Sequence, residues 1–406
     1  MDNILQAKLD VIAAGKRLLE TGLIARTWGN VSARVDDKSF VITPSGKAYE
    51  DLTPDDIVLV NISDLSYEGD IKPSSEKGIH AQAYARPEVG FVIHTHQHNA
   101  SIVSVMGKPM DTIEWWVNVL GPVVPLAGYG LPGTGKLKKA VTLALQQNPS
   151  SKAVVMANHG ALCVGTDADD AFRVADALEQ QCLGYLKAKA SSIFDEAADT
   201  LDALHSLIAR RRAANAPCEA TDFYDAYSSF RSGSAFCMVP ENGEGESIDV
   251  ALPSGDVFDG ANAPASLEIH RAIYRGDKKA NAIVHSQKPD IIRASKTGGK
   301  LKPYLDDFAQ IAGINLRTAR FNPNDQLASA QAVKKGLNRR SAVLLKDNGA
   351  LCIGSSMDEA RAVETVTEKN CAVSLSADLF GKAKKISLGH SVLMRFVYVQ
   401  KYSKKK

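Results

Sequence analysis

Cysteine is scarce: the 406-residue chain has six, and none form a Cys-x-x-Cys pair. That excludes a disulfide framework. An excess of one charge is also lacking. Forty-eight basic against 46 acidic residues leave a net charge of +2, which is no electrostatic footprint for nucleic acid. The single charge run, Lys404 to Lys406, reads as a solvated end. No stretch approaches ~18 apolar residues, so no membrane span is expected. Met1-Asp2-Asn3-Ile4 lacks the charged and apolar regions of a signal peptide. These absences predict a soluble, cytoplasmic protein with reduced thiols, without nucleic-acid or membrane partners. What is present is ordinary globular usage, 45% hydrophobic and 23% charged. At ~100–200 residues per domain, the length predicts two or three domains.

The chain repeats itself once. Residues 153–165 (AVVMANHGALCVG) parallel 342–354 (AVLLKDNGALCIG) at an offset of 189, which also carries Cys182 to Cys371. Upstream, 92–96 (VIHTH) parallels 283–287 (IVHSQ), and His80 pairs with His270. Ordered matches at one large offset imply two copies of one unit, since solenoid periods are only ~20–50 residues. Domains are therefore expected at 1–195 and 217–395. The joint, Asp195–Thr221, reads as a helix stopped by Pro217.

Within the first copy, 39–43, 57–60, 90–93, 152–157 and 161–164 read as short strands between Gly, Pro and Asp punctuation. Helical periodicity marks 5–21, 75–85, 135–147 and 167–190. Strands mixed with helices, several joined by short turns, predict α/β layers around a largely antiparallel sheet.

His94-Thr95-His96 ends an apolar strand, where side chains two apart share a face and can reach one ion. His159, in the tight turn Asn158-His159-Gly160, is the natural third ligand. Neutral imidazoles suit Zn²⁺, Cu, Fe or Ni, and three with an open fourth position is a catalytic zinc pattern. The bland reading is two polar residues at a strand end. His98 competes as a ligand but falls where the strand has ended. Pro73-Ser74-Ser75-Glu76 adds a carboxylate: Ser75 is expected to cap a helix, placing Glu76 in its first turn. There Glu76 is either a helix-start charge or, beside a metal, a general base or acid. His80, one turn on, reads as a hydrogen-bonded orienter. Gly29-Asn30-Val31-Ser32 and Thr43-Pro44-Ser45-Gly46 suit a phosphate cradle, or are ordinary turns. Gly130–Lys136 matches the glycines and lysine of a P-loop, but Leu137 stands where that motif needs Ser or Thr. It reads as a turn into a helix.

In order, Asn30, Thr43–Gly46, Pro73–Glu76, His94–His96 and Asn158–Gly160 resemble the class II aldolase/adducin family, closely over about residues 5–190 and in degraded form over 220–390. The resemblance implies three-layer α/β/α domains with mainly antiparallel central sheets. It implies one Zn²⁺ per chain, or another divalent metal, held by His94, His96 and His159. It implies Glu76 as acid/base and Asn30, Ser45, Gly46, Ser74 and Ser75 as phosphate contacts. The chemistry is coherent: retro-aldol cleavage of a phosphorylated ketose needs a Lewis acid, so that the departing carbanion becomes a metal-held enediolate. It also needs a carboxylate to move protons and an anchored phosphate to orient the carbons.

One departure is Trp115, where family aldolases carry a tyrosine proton donor; a water or a tyrosine elsewhere, such as Tyr129, would have to act in its place. A dehydratase or decarboxylase of a phosphorylated sugar or sugar acid, or a non-catalytic adducin-like interaction role, are the rival readings. In the second copy His94, His96 and His159 become His285, Gln287 and Asn348, Glu76 falls at Ser266 or Leu267, and only Pro253-Ser254-Gly255 echoes the phosphate turn. That copy is expected to be structural. The resemblance implies four-fold tetramers, so two chains of two heads are expected to form a homo-oligomeric, pseudo-four-fold ring.

Overall fold

A computed structural model describes residues 3–24, 26–194, 200–213, 226–243, 246–252, 264–381 and 383–401. The Pro253-Ser254-Gly255 turn, Pro217 and the ends of the expected joint lie outside the described residues. The chain divides into two compact units, Met1–Ala197 with Leu379–Lys384, and Ala198–Asp378 with Lys385–Lys406.

In the first unit α1 (Asn3–Glu20) leads into β1 (Asn30–Arg34), β2 (Ser39–Ile42) and β3 (Val58–Asn61). Then come α2 (Lys77–Ala83), β4 (Phe91–Thr95), α3 (His98–Val103), β5 (Met110–Asp111), α4 (Val117–Leu120) and β6 (Val123–Val124). The unit continues with β7 (Leu126–Ala127), α5 (Gly135–Gln147), β8 (Ala153–Met156), β9 (Ala161–Gly165) and α6 (Ala168–Ser191). The sheet order is β3-β2-β1-β4-β9-β8-β7, and each neighbouring pair is antiparallel except β7–β8. Strands β5 and β6 form a separate antiparallel pair.

Alternation along the strands explains the core. Phe40 and Ile42, Val58 and Val60, Val154 and Met156, and Leu162 and Val164 share one side. They pack against Ile79 of α2 and Leu137, Val141 and Leu145 of α5. Helix α6 packs on β4 and β9, and its apolar stripe of Ala171, Val174, Ala175, Leu178 and Cys182 is buried at helical spacing. Asp167 caps α6 through its carboxylate, which accepts from Asp170 N–H at 2.9 Å. The glycine-rich 130–136 segment is a turn into α5, with Thr134 as cap.

The second unit contains α7 (Leu201–Ala213), β10 (Tyr227–Ser232), β11 (Ala235–Pro240), β12 (Ile248–Ala251), α8 (Leu267–Gly276), β13 (Ala282–Ser286) and α9 (Pro289–Thr297). It continues with β14 (Lys300–Leu301), α10 (Asp306–Ile311), β15 (Leu316–Ala319), α11 (Gln326–Leu337), β16 (Ala342–Leu345), β17 (Ala350–Gly354), α12 (Met357–Ser376) and α13 (Leu388–Lys401). Its order, β12-β11-β10-β13-β17-β16-β15-β14, repeats that of the first sheet with one strand added. Helix α7, expected as the joint, packs within this unit. His205 Nδ1 meets the Asp290 carboxylate at 2.9 Å, and its Nε2 meets Ser376 Oγ at 2.7 Å. No helix among the described residues is long and apolar enough to cross a membrane.

Candidate metal centre and its carboxylate

The register of β4 against β1 and β9 places His94 opposite Asn30 on one side and Leu162 on the other. His94 Nδ1–H donates to Ala161 O at 2.8 Å. A carbonyl can only accept, so this bond leaves the Nε2 lone pair free to point inward. The strand ends at Thr95, one residue earlier than a shared strand face for both histidines requires. His96 is instead the first residue past the strand, tied by its N–H to Leu23 O at 2.9 Å. His159 sits in the β8–β9 turn, where Asn158 takes a left-handed φ of 61°. A Cβ on Gly160 would lie 2.3 Å from Thr95 O, so only glycine lets this turn close against β4.

These constraints bring three Nε2 atoms together. His94 Nε2 lies 3.0 Å from His96 Nε2 and 3.0 Å from His159 Nε2. A tetrahedral zinc with Zn–N of about 2.0–2.1 Å would set its nitrogens ~3.3–3.4 Å apart, close to what is seen. Among the described residues these three form a buried group able to hold a metal ion. Burial holds the His94 imidazole neutral, well below its ordinary range, with His96 and His159 adding to this against the pull of Glu76. Three ring nitrogens at this spacing need a cation or a proton among them, so the donor set fits a metal.

Glu76 completes the cluster. Its Oε2 lies 3.3 Å from His94 Nε2 and its Oε1 lies 3.2 Å from His159 Nε2. Burial alone would push this carboxyl up, and the Asn30 amide that donates to it favours the ionised form. Ser75 does not cap α2. Glu76 itself occupies the cap position, with its N–H donating to Ser74 Oγ at 3.2 Å. The chain reaches its helical conformation one residue later than a Ser75 cap requires, and this turns the carboxylate inward. Ser75 is left exposed.

The loops bearing Ser45, Gly46, Ser74 and Ser75 lie side by side. A bridge joins Pro44 and Pro73, Ser45 N–H donates to Lys72 O at 2.9 Å, and Ser74 N–H donates to Thr43 O at 3.0 Å. Thr43 in turn is bound to Val31, next to Asn30. Asn30 is engaged elsewhere: it is buried, its Nδ2 donates to Glu76 Oε2 at 3.0 Å, and its Oδ1 meets His80 Nε2. Trp115 is 73% exposed in a short turn before α4.

Glu179 of α6 escaped the sequence reading. Its carboxylate accepts from Asn99 and Ala100 N–H at 2.7 and 3.2 Å, bracing the chain just after His96. The 189-residue offset maps it onto Glu368, which braces Asp290 and Ile291 in the same way. The repeat was the signal that would have found it.

In the second unit, His285 Nε2–H donates to Asn348 O at 2.9 Å and Gln287 Nε2 to Asn348 Oδ1 at 3.0 Å. Hydrogen bonds occupy the place of the imidazole cluster. Ser266 takes the cap position of α8, as Glu76 does in α2.

Residues 9–186 and 239–375 both match the sequence pattern of the Class II Aldolase and Adducin N-terminal domain. The chain belongs to the class II aldolase and adducin family. Its two matched regions are two copies of that family's domain. A 5-deoxy-D-ribulose 1-phosphate aldolase from Bacillus thuringiensis serovar kurstaki is 32% identical over 42% of this chain and 79% of its own length. An L-fuculose phosphate aldolase from Escherichia coli O6:H1 is 34% identical over 41% of this chain and 75% of its own. The solved structure of an L-fuculose 1-phosphate aldolase is 29% identical and covers 48% of this chain and 89% of its own, with a TM-score of 0.42.

Proposed function

We propose that the chain is a metal-dependent lyase that cleaves a phosphorylated ketose by a retro-aldol reaction, with its working site in the first unit. The observation that carries this reading is the convergence of His94, His96 and His159 beside the single carboxylate of Glu76. The names of the sugar-phosphate aldolases it resembles support the substrate class. We assign one Zn²⁺ per chain, because three neutral imidazoles with an open fourth position suit it. Bound there, such an ion would supply Lewis-acid stabilisation of the negative charge released when the carbon–carbon bond breaks.

The chain's own groups move the protons. Ionised and buried, Glu76 takes the proton of the hydroxyl whose carbon becomes an aldehyde. It then returns a proton to the carbon of the departing phosphorylated fragment. We assign the phosphate to the loops of Ser45–Gly46 and Ser74–Ser75, with Asn30 at their edge. Fixing the phosphate orients the breaking bond. We read both units as three-layer α/β/α domains around mainly antiparallel sheets, residues 1–195 catalytic and 217–395 structural. We also infer a homo-oligomer, which solution mass tests.

Trp115 favours a second reading. Indole is no proton donor at neutral pH, so a dehydratase or decarboxylase acting on a phosphorylated sugar or sugar acid through the same cluster is the rival. Product analysis separates them, since only aldol cleavage releases two carbonyl fragments. An adducin-like, non-catalytic role suits the second unit, where Gln287 and Asn348 replace ligands.

A further inference from the structure

One residue ties two of the histidine-bearing segments together, and in sequence it lies beyond the second copy. Leu379–Lys384 follows α12 yet belongs to the first compact unit. There Lys384 N–H donates to Val105 O at 3.1 Å, just past the end of α3, and Lys384 O accepts from Asn158 Nδ2 at 2.7 Å. Helix α3 starts two residues after His96, and Asn158 directly precedes His159. We propose that the main chain of Lys384 is a clamp that positions the His159 turn against α3, with Asn158 as the positioning residue it holds.

The turn gains from an outside hold. Within the hairpin, His159 N–H donates to Met156 O at 3.1 Å and Met156 N–H to Gly160 O at 2.8 Å. Asn158 carries a Cβ at a left-handed φ of 61°, a conformation that persists where the surroundings enforce it. A carbonyl only accepts, so the Asn158 amide must present its NH₂ to Lys384. Holding that bond fixes the Asn158 side chain, and with it the backbone from which the His159 imidazole projects. The other bond of Lys384 anchors the clamp on the segment that continues from His96. Both bonds use main-chain atoms of Lys384, so the identity of its side chain is immaterial to them.

The second unit meets the same need from within its own hairpin. Asp347 stands at the place of Asn158, with a φ of 63°, and Lys346 at the place of Ala157. Lys296 lies six residues past Asp290, as Val105 lies six past Asn99. Lys346 Nζ donates to Lys296 O at 2.8 Å and lies 3.2 Å from Asp347 Oδ1. A lysine of the hairpin thus joins turn and helix end there. Ala157 has no donor on its side chain, so in the first unit the tie comes from Lys384. The two hairpins differ in which segment closes them, and the first depends on chain that follows the second copy.

This inference rests on the proposed assignment of His159 as a metal ligand, and two measurements keep the two claims apart. In the full chain, Asn158→Gly keeps the left-handed φ and removes the donor, and is expected to weaken Zn²⁺ binding by about 10–100-fold. Lys384→Pro, which removes the N–H that reaches Val105 O, should do the same. Lys384→Ala keeps both main-chain bonds and should bind Zn²⁺ as wild type does. Adding Ala157→Lys, the second unit's own tie, to Lys384→Pro should recover most of the loss, which a general folding defect would not allow. Full Zn²⁺ affinity in both Asn158→Gly and Lys384→Pro would overturn the proposal. Independently of metal, hydrogen exchange of the metal-free full chain should show the Met156 and His159 amides exchanging faster in both variants. Unchanged protection of these amides would overturn the clamp. If the wild-type chain binds no Zn²⁺, the metal assignment falls and the exchange measurement still decides the clamp.

Discussion

Asn30 and His94 face each other across the antiparallel β1–β4 ladder. One strand register therefore sets the spacing between the amide that holds Glu76 and the first imidazole of the cluster. A one-residue slip of β1 would turn Asn30 to the face of the sheet opposite His94. The site is a consequence of sheet register as much as of its individual residues.

Metal content should be one divalent ion per chain, because the second unit closes its equivalent place with the Gln287–Asn348 bond. Elemental analysis of purified protein checks this. His96→Ala should lose the ion while circular dichroism stays native; two ions per chain would contradict the assignment.

Glu76→Gln should keep the ion and lose turnover by about 10²–10⁴-fold, as expected for an acid–base group. The amide preserves shape and removes the base. Near-wild-type turnover on a confirmed substrate would reduce Glu76 to a cap residue.

Ser45→Ala should raise KM for the phosphorylated substrate by roughly 10–100-fold, the value of ~1.5–3 kcal/mol for a hydrogen bond to a charged group. Little change is expected in the rate with the dephosphorylated sugar. Steady-state kinetics on the matched pair measures both.

Asp56 supplies a pH-dependent stability. Burial would push its carboxyl up, but Lys47 Nζ at 2.6 Å and hydrogen bonds from Thr53 bring it down to about 2. The folded value lies below the ~3.9 of an unfolded aspartate, so its stabilisation is present above pH ~4 and is lost as pH falls through about 2. Asp56→Asn should therefore lower the denaturant midpoint at pH 7, with the gap to wild type closing towards pH 2.

Phe236 is fully buried in the core of the second unit. Phe236→Ala should cost ~3–5 kcal/mol in that unit, read by denaturant unfolding. Protein that remains folded should still hold one ion per chain.

Patterns local in sequence were legible. Helix α5 covers the expected 135–147, and the expected 161–164 strand is β9 with one residue more. Both carry uninterrupted periodicity with clear stops. The His-x-His spacing falls at the buried imidazole group, although the strand ends before His96. Contacts that depend on packing were not legible. Asn30 meets Glu76 across 46 residues, and Glu179 braces Asn99 across 80. Leu379–Lys384 returns to the first unit, where Asn158 Nδ2 donates to Lys384 O at 2.7 Å, with no composition signal to announce it. The cap of α2 was misplaced because Ser75 has the better intrinsic preference, while burial of Glu76 beside the imidazoles decides the outcome.

Product analysis of the metal-loaded full chain with a panel of ketose 1-phosphates decides between aldol cleavage and its rivals. The expected result is dihydroxyacetone phosphate and an aldehyde in equal amounts, abolished in His94→Ala. Loss of water or carbon dioxide from a phosphorylated sugar or sugar acid, with no aldehyde released from any ketose 1-phosphate, would contradict it.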